Sequence, residues 1–372
     1  MQWRLALAGA AVLALSTSAH AQVEEMEMRA VVFDQTGRGY QSVAGPPQGP
    51  GSENALIFEP MFHLLVKQSE TWSHVIDITV DIVSNASVDA IDAVSTASAV
   101  NEAATLDVTS SHHDGDTTLS LRYGGHIEEP LRSAFAGASV TQHLADDNFA
   151  IQLSGLATFD FFDHVNRFGQ ELGLSTRQNL NANLSVSQIL SPTTVFDASY
   201  GFTYQTGTLE TTYNSVPLVG GDRGDEIFAG RRFRHAIAGR VSQHFPDTRS
   251  TLKAAYRYYT DNYQLTAHTV EGQLYQYLVD WLYVRGSYRY HWQSGVDFYG
   301  TAFEPGHMGP ETSDSDLAPF TAHEVGLKLV LLAERSPWEG LKRSFIEASF
   351  YHYWRTNDLQ VNWLAIAFGR KF

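Results

Sequence analysis

The sequence predicts an all-β fold: a transmembrane antiparallel up-and-down β-barrel of about 16 strands, with 14 as the alternative count. Three observations lead there. The chain opens with an export segment, apolar and polar side chains alternate over stretches of about ten residues, and short and long connections alternate. Aromatic residues make up 12% of the 372 residues, yet mean hydropathy is below zero. After residue 21 no apolar run approaches the roughly 18 residues of a membrane helix. A membrane crossed by strands needs only one greasy face per strand, so weak hydropathy is expected of it.

The first element is a secretory signal peptide over residues 1–21. Arg4 supplies a positive start, Leu5 to Leu15 is apolar but short, and Ala19-His20-Ala21 is a small-x-small cleavage site. Cleavage after Ala21 leaves 22–372 as one barrel domain, destined for the bacterial outer membrane. The chain has no Cys, which rules out a lipoprotein anchor at the cleavage site and any disulfide. Its formal charge of −16 disfavours nucleic acid as a partner.

The strands follow from two-residue alternation. In "DWLYVRGSYRYHW" (280–292), Leu282, Val284, Gly286, Tyr288, Tyr290 and Trp292 alternate with Arg285, Ser287, Arg289 and His291. Leu180, Ala182, Leu184 and Val186 alternate with Asn181, Asn183, Ser185 and Ser187. Similar stretches begin at Phe149, Phe196, Phe233, Leu252 and Ile346. Starts are expected near 28, 55, 73, 103, 116, 133, 148, 179, 193, 232, 249, 264, 280, 322, 343 and 358. An arginine facing the bilayer midplane costs roughly 2–4 kcal/mol, so the apolar lists face lipid and the ionic lists face the lumen.

The links at 145–148, 191–194, 246–249 and near 279 are tight, 334–342 is moderate, and 162–178, 205–231 and 293–321 are long. If strands run up and down, every long link lands on the extracellular side and the tight turns are periplasmic. The Gly/Pro-rich link 36–54 falls outside too. The last strand, "VNWLAIAFGRKF", ends in Phe372 behind Leu364, Ile366 and Phe368. This resembles the C-terminal signal taken by the bacterial barrel-insertion machinery, an expected partner alongside outer-membrane lipid. Arg370 departs from the apolar residue usual there.

Two segments resemble a family of bacterial outer-membrane β-barrels catalogued as a domain of unknown function. "VDIVSNASVDAIDAVSTAS" (80–98) is similar to its Asp-x-Val-Ser-x-Ala-Ser signature, with Asn85 where the family has Gly. Residues 230–299, from "GRRFRHAIAGRVSQHF" through "KAAYRYYTDNYQ" to "YRYHWQSGVDFY", are similar to its Arg-x-Arg and Tyr-Arg-Tyr-Tyr strands. The resemblance implies location and architecture, and transfers no catalytic residue.

The candidate lumen charges are Arg234, Arg240, Lys253, Arg257, Arg285, Arg289 and Lys328, opposed by Asp160, Asp197, Glu324 and Glu347. Asp77, Asp81, Asp89 and Asp92 form a candidate acidic cluster, and residues 84–102 are a candidate lumen insert. His112, His113, Asp114 and Asp116 have metal-ligating chemistry, but "DG" between alternating stretches is also an ordinary hairpin turn. No GxSxG, HExxH or GxGxxG-helix pattern is present, so no catalytic residue and no cofactor is assigned. The leading expectation is a porin-like pore with a charged lumen for small polar solutes. The alternatives are a non-conducting scaffold that holds a periplasmic or surface partner, a lipoprotein or redox protein, and a barrel enzyme.

Overall fold

A computed structural model of the chain describes residues 21–37, 54–86, 102–128, 131–166, 170–210 and 214–372. The signal segment before Ala21, the link 38–53 and residues 87–101 lie outside the described residues. So do Asp89, Asp92 and nearly all of the expected lumen insert.

Sixteen strands close into one antiparallel barrel. They are β1 (Gln22–Thr36), β2 (Ala55–Lys67), β3 (Trp72–Ala86), β4 (Glu102–Asp114), β5 (Thr117–Ile127), β6 (Leu131–Leu144), β7 (Phe149–Val165), β8 (Glu171–Ser191) and β9 (Thr194–Gly207). A small two-stranded sheet, β10 (Ser215–Pro217) and β11 (Arg223–Asp225), interrupts the series. The barrel resumes with β12 (Arg231–Phe245), β13 (Ser250–Asp261), β14 (Thr266–Val279), β15 (Leu282–Gln293), β16 (Phe320–Leu332), β17 (Ser344–Arg355) and β18 (Gln360–Lys371). Neighbours in sequence are neighbours in space, and β9 pairs with β12. β1 pairs with β18, Met28 opposite Phe368, so the ring has no free edge. Sixteen strands tilted at about 40° enclose a backbone cylinder roughly 30 Å across, wide enough for an aqueous passage.

The alternation sorts the faces as the arginine cost demands. Leu180, Leu184, Ile237, Leu252, Tyr256, Tyr288, Phe350 and Ile366 all lie exposed on the outer face. Arg285 pairs in register with Tyr275 and Lys328, Arg289 with Glu271 and Glu324, all on the opposite parity. Three outer-face guanidiniums among the described residues sit at the rims: Arg132 opposite Ile127 and Arg231 opposite Thr206 at the external end, and Arg370 over the Phe372 ring at the periplasmic end.

Two strands start well before the expected residue. β1 begins at Gln22, not 28: its acidic start lacks an apolar stripe but is held by ladder bonds to β2. β8 begins at Glu171, not 179, so the expected long link 162–178 is mostly paired strand, with Val165 opposite Glu171. Backbone pairing continues above the hydrocarbon, where polar residues such as those of "ELGLSTRQ" are tolerated on both faces.

The two remaining long links, 208–230 and 294–319, fold together at the external end. Leu218 bridges to Phe303 and Ile227 to Glu311. Leu209, Tyr263, Leu265, Ala267, Val296 and Leu317 form a buried cluster, joined by Phe228 and Phe298. Arg223 is buried and bonds the Oγ and carbonyl of Ser215 at 2.7 and 2.9 Å. Thr312 and Asn214 both donate to Glu226, at 2.5 and 2.8 Å. This cap is fastened to the barrel wall. Asp261 accepts Arg232 Nε at 2.8 Å and Nη2 at 2.5 Å, Tyr259 OH at 2.8 Å, and the backbone N–H groups of Tyr263 and Leu265 at 2.9 and 3.1 Å. Arg355 bonds Asp316 at 2.5 Å and Ser315 at 3.0 Å. The Tyr263 phenol donates to the Ala229 carbonyl, and burial pushes its pKa up to about 12.

Candidate functional site: a lumen divided by charge

The inward residues of the described strands fall into three sectors. On β1 to β5 the parity facing the lumen carries Glu27, Glu59, Asp77, Asp81 and Asp107, with Arg29, Lys67 and Arg122 among them. On β6 to β9 it carries mainly Ser, Thr, Asn and Gln, including Ser139, Ser154, Asn181, Asn183 and Ser199. On β12 to β16 it carries Arg232, Arg234, Arg240, Lys253, Arg257, Arg285, Arg289 and Lys328, with Asp261, Glu271 and Glu324. In a ring of sixteen, β3 stands across from β13 and β4 from β14. The acidic and basic sectors therefore face one another across the passage.

Pairing differs between the sectors. Asp107 is bidentate with Arg122, at 2.6 Å to Nη2 and 2.9 Å to Nε. Asp77 bonds His63 at 2.6 Å, and Asp81 lies beside Glu59. The β2–β3 ladder skips at Glu59 and Pro60, because Pro60 has no N–H to give. Asp160 is satisfied by Arg177 at 2.8 Å, Ser133 at 2.6 Å and Asn179 at 3.1 Å. Asp197 holds Arg240 at 2.9 Å. Glu347 Oε1 receives both Lys328 at 2.6 Å and Arg29 at 2.9 Å, knitting β16, β17 and β1 across the seam strand.

Lys253, Arg257 and Arg285 make no ion pair among the described residues. They lie on tyrosine faces instead. Lys253 Nζ is 4.8 Å from the Tyr275 ring centre, Arg257 is 5.9 Å from Tyr259, and Arg285 sits between Tyr275 and Tyr351 at 6.0 and 5.8 Å. Arg285 also donates to the Tyr351 hydroxyl. Arg289 is flanked in register by Glu271 and Glu324. Arg234 faces Asp261 in register, and its Nε is buried without a hydrogen-bond partner. A cation on an aromatic face keeps its charge available to the lumen, which a carboxylate partner would cancel. Gly326 makes this packing possible: a Cβ there would come within 2.3 Å of the Tyr351 ring. Beside the stripe, Gln152, Ser187, Asp197 and Arg240 line a recess of about 500 Å³.

Tyr259 and Tyr275 were not singled out from sequence. Tyr259 shares strand parity with Arg257 and Tyr275 lies in register with Arg285, and that parity is the signal that finds them.

The turn at 110–118 does not gather its four metal candidates. His112 and His113 are consecutive on β4 and so point to opposite faces. His112 stacks on Trp72 at 4.8 Å, while His113 bonds Thr118 at 3.0 Å and Ser73 at 3.3 Å. Gly115, at φ 55°, makes the tight connection to Asp116. Among the described residues no three His, Asp or Glu side chains converge as a metal site.

Residues 106–339 match the family described as "Protein of unknown function (DUF3570)". The chain belongs to this family. The match contains the 230–299 segment but not the 80–98 signature. No curated protein matches the chain. Among solved structures it is similar to one described as a bacterial polysaccharide outer membrane secretin, with TM-score 0.51 and 10% identity over 93% of this chain and 98% of that one. It is also similar to a BenF-like porin from Pseudomonas fluorescens Pf-5, with TM-score 0.48 and 10% identity over 95% and 99% of the two chains. Pseudomonas aeruginosa OpdK with vanillate gives TM-score 0.45 and 9% identity over 95% and 99%. At these identities the likeness concerns the fold, that of an outer-membrane β-barrel.

Proposed function

We propose that this DUF3570 barrel is a porin-like diffusion pore for small polar solutes, and that its charge arrangement favours solutes bearing an anionic group. The observation that carries the reading is the transverse division of the lumen. The basic stripe on β12 to β16 stands opposite the acidic wall on β1 to β5, and Lys253, Arg257 and Arg285 rest on tyrosines rather than carboxylates. A paired network would brace a filled barrel. Cations left available form a low-field path along which an anion exchanges partners without being trapped. A solute with both an anionic and a hydrogen-bonding end is turned by the field between the walls, and the neutral sector of Ser and Asn offers exchangeable hydrogen bonds. The cap formed by 208–230 and 294–319 narrows the external entrance over the basic side.

Planar-bilayer recording of the purified protein under a KCl gradient tests this. A steady open current with a reversal potential on the anion-selective side is expected. Absence of open current at any voltage would overturn the pore and favour the scaffold reading. In that reading the same cap is a docking face for a surface partner such as a lipoprotein, and co-purification after mild detergent extraction is its test.

A further inference from the structure

The histidines of the outer face have an order of their own. On β9/β12, β13/β14 and β15/β16, each a pair joined through the external side, one motif repeats. The rising strand carries Tyr200-Gly-Phe202, Tyr256-Arg-Tyr258 or Tyr288-Arg-Tyr290. The descending strand carries His235-Ala-Ile237, His268-Thr-Val270 or His323-Glu-Val325. In each, the first tyrosine hydroxyl lies against His Nδ1, at 2.8, 2.7 and 2.8 Å. The second aromatic packs on the same imidazole with ring centres 5.2, 5.2 and 5.3 Å apart. Trp292 and Trp354 then close on His268 and His323 from the next strand, at 5.6 and 5.1 Å.

The motif marks a height. Two residues toward the periplasm from each histidine stands a well-exposed aliphatic side chain: Ile237 at 57%, Val270 at 51% and Val325 at 42%. The three histidines lie about nine to eleven residues above the periplasmic turns, the span of a tilted membrane strand. They therefore sit where the hydrocarbon ends and the outer-leaflet headgroups begin. Alternate strands separate them by roughly 10 Å across the sheet.

A polar row in an aromatic girdle is common, but here each of the three imidazoles has a tyrosine hydroxyl at Nδ1. With the tyrosine hydroxyl donating to Nδ1, the imidazole carries its proton on Nε2. No protein group among the described residues receives it. The exposed Arg231 shares this outer parity, one turn of the pleat above Phe233 and His235. We infer that this Tyr–His row is a binding strip for outer-leaflet lipids with phosphate headgroups, each Nε2–H donating to a phosphate oxygen while the acyl chains lie over Ile237, Val270 and Val325. The strip is on the lipid side, so the inference stands independently of whether the lumen conducts.

The test uses the full-length barrel in detergent, with phosphatidic acid and diacylglycerol of equal chain length as probes and native mass spectrometry as the readout. Wild type is expected to retain phosphatidic acid in preference to diacylglycerol. The His235→Phe/His268→Phe/His323→Phe variant keeps the stacked rings but lacks the donors, and is expected to bind phosphatidic acid about tenfold more weakly, the scale of one lost charge-assisted bond. Tyr200→Phe/Tyr256→Phe/Tyr288→Phe frees the tautomer and should give a smaller loss. Nitrogen-15 shifts of the imidazoles should show Nε2–H in the wild type and move on adding phosphatidic acid. Heat-dependent gel migration verifies that each variant is folded. Equal retention of the two lipids by wild type, or undiminished phosphatidic acid binding by the folded triple-Phe variant, would overturn the inference and leave the row as girdle packing only.

Discussion

Asp261 offers the sharpest test of how the cap is held. Its side chain is fully buried, and it accepts five hydrogen bonds from Arg232, Tyr259, Tyr263 and Leu265. Asp261→Asn is nearly isosteric. Its Oδ1 can keep the two backbone N–H groups, but the other position becomes an NH₂ group aimed at a guanidinium that is itself only 10% exposed. Arg232 is then a buried cation without its counter-charge, retaining only the Tyr263 ring at 4.7 Å. Breaking one side of a buried pair costs about 3–5 kcal/mol, against the few tenths expected of a rim salt bridge. Because the pair ties β12 to β13 at the base of the cap, the loss falls on local opening of 208–230 and 294–319. Amide hydrogen exchange read by mass spectrometry should therefore speed up roughly a hundredfold to a few thousandfold in Leu209, Val216 and Val296, with mid-barrel strands unchanged. Adding Arg232→Met to Asp261→Asn removes the stranded cation while the amide oxygen at 261 keeps the two backbone N–H groups, and should recover most of the protection. If Asp261→Asn changes cap exchange by less than about fivefold, or if the double replacement is worse than the single, the reasoning fails.

Three further outcomes are expected. Replacing Lys253, Arg257, Arg285 and Arg289 together by Gln should move the reversal potential toward cation selectivity, whereas Asp107→Asn, on the opposite wall, should move it the other way by releasing Arg122 from its carboxylate. Gly326→Ala should push the Tyr351 ring off Arg285 and destabilise the barrel by about 1–3 kcal/mol in denaturant titration. Burial pushes the Glu311 carboxyl above the ordinary range, an effect a charged His307 opposes. Its contribution to cap stability is then full below the unfolded carboxylate pKa and is lost as pH rises through the raised value. Exchange of 303–313, corrected for intrinsic rates, should be slower at acidic pH in wild type and lose that dependence in Glu311→Gln.

The strand plan was legible because a membrane barrel enforces one rule at every residue. A guanidinium such as Arg285 cannot share parity with Val284 and Tyr288 in mid-membrane, so a one-residue register error is forbidden. Apart from β1 and β8, the barrel strands begin within two residues of their expected starts. Where the hydrocarbon ends, so does the rule. "ELGLSTRQ" breaks the apolar stripe with Thr176 and Gln178 on the outer parity, yet it is paired strand through ladder bonds that leave no trace in composition. Lumen parity identified Arg257 and Glu347, but it could not show that Glu347 gathers Lys328 and Arg29 while Arg257 rests on Tyr259. The Arg29–Glu347 contact depends on strands far apart in sequence, and the others on rotamers that parity does not set. The outer-face histidines were hidden for the same reason: residues 235, 268 and 323 are unevenly spaced, and only sheet pairing lines them up. The metal chemistry suggested for His112 and His113 ignored the pleat that parts consecutive side chains.

The pairing of β1 with β18 has a consequence for biogenesis. The cylinder is sealed by strands far apart in sequence, Glu25 meeting Lys371 and Thr36 meeting Gln360. No partial translation product can complete it, and a chain shortened by its last dozen residues presents two raw ladders of amides and carbonyls to oil. The ring can therefore be sewn shut only once β1 and β18 are both in place.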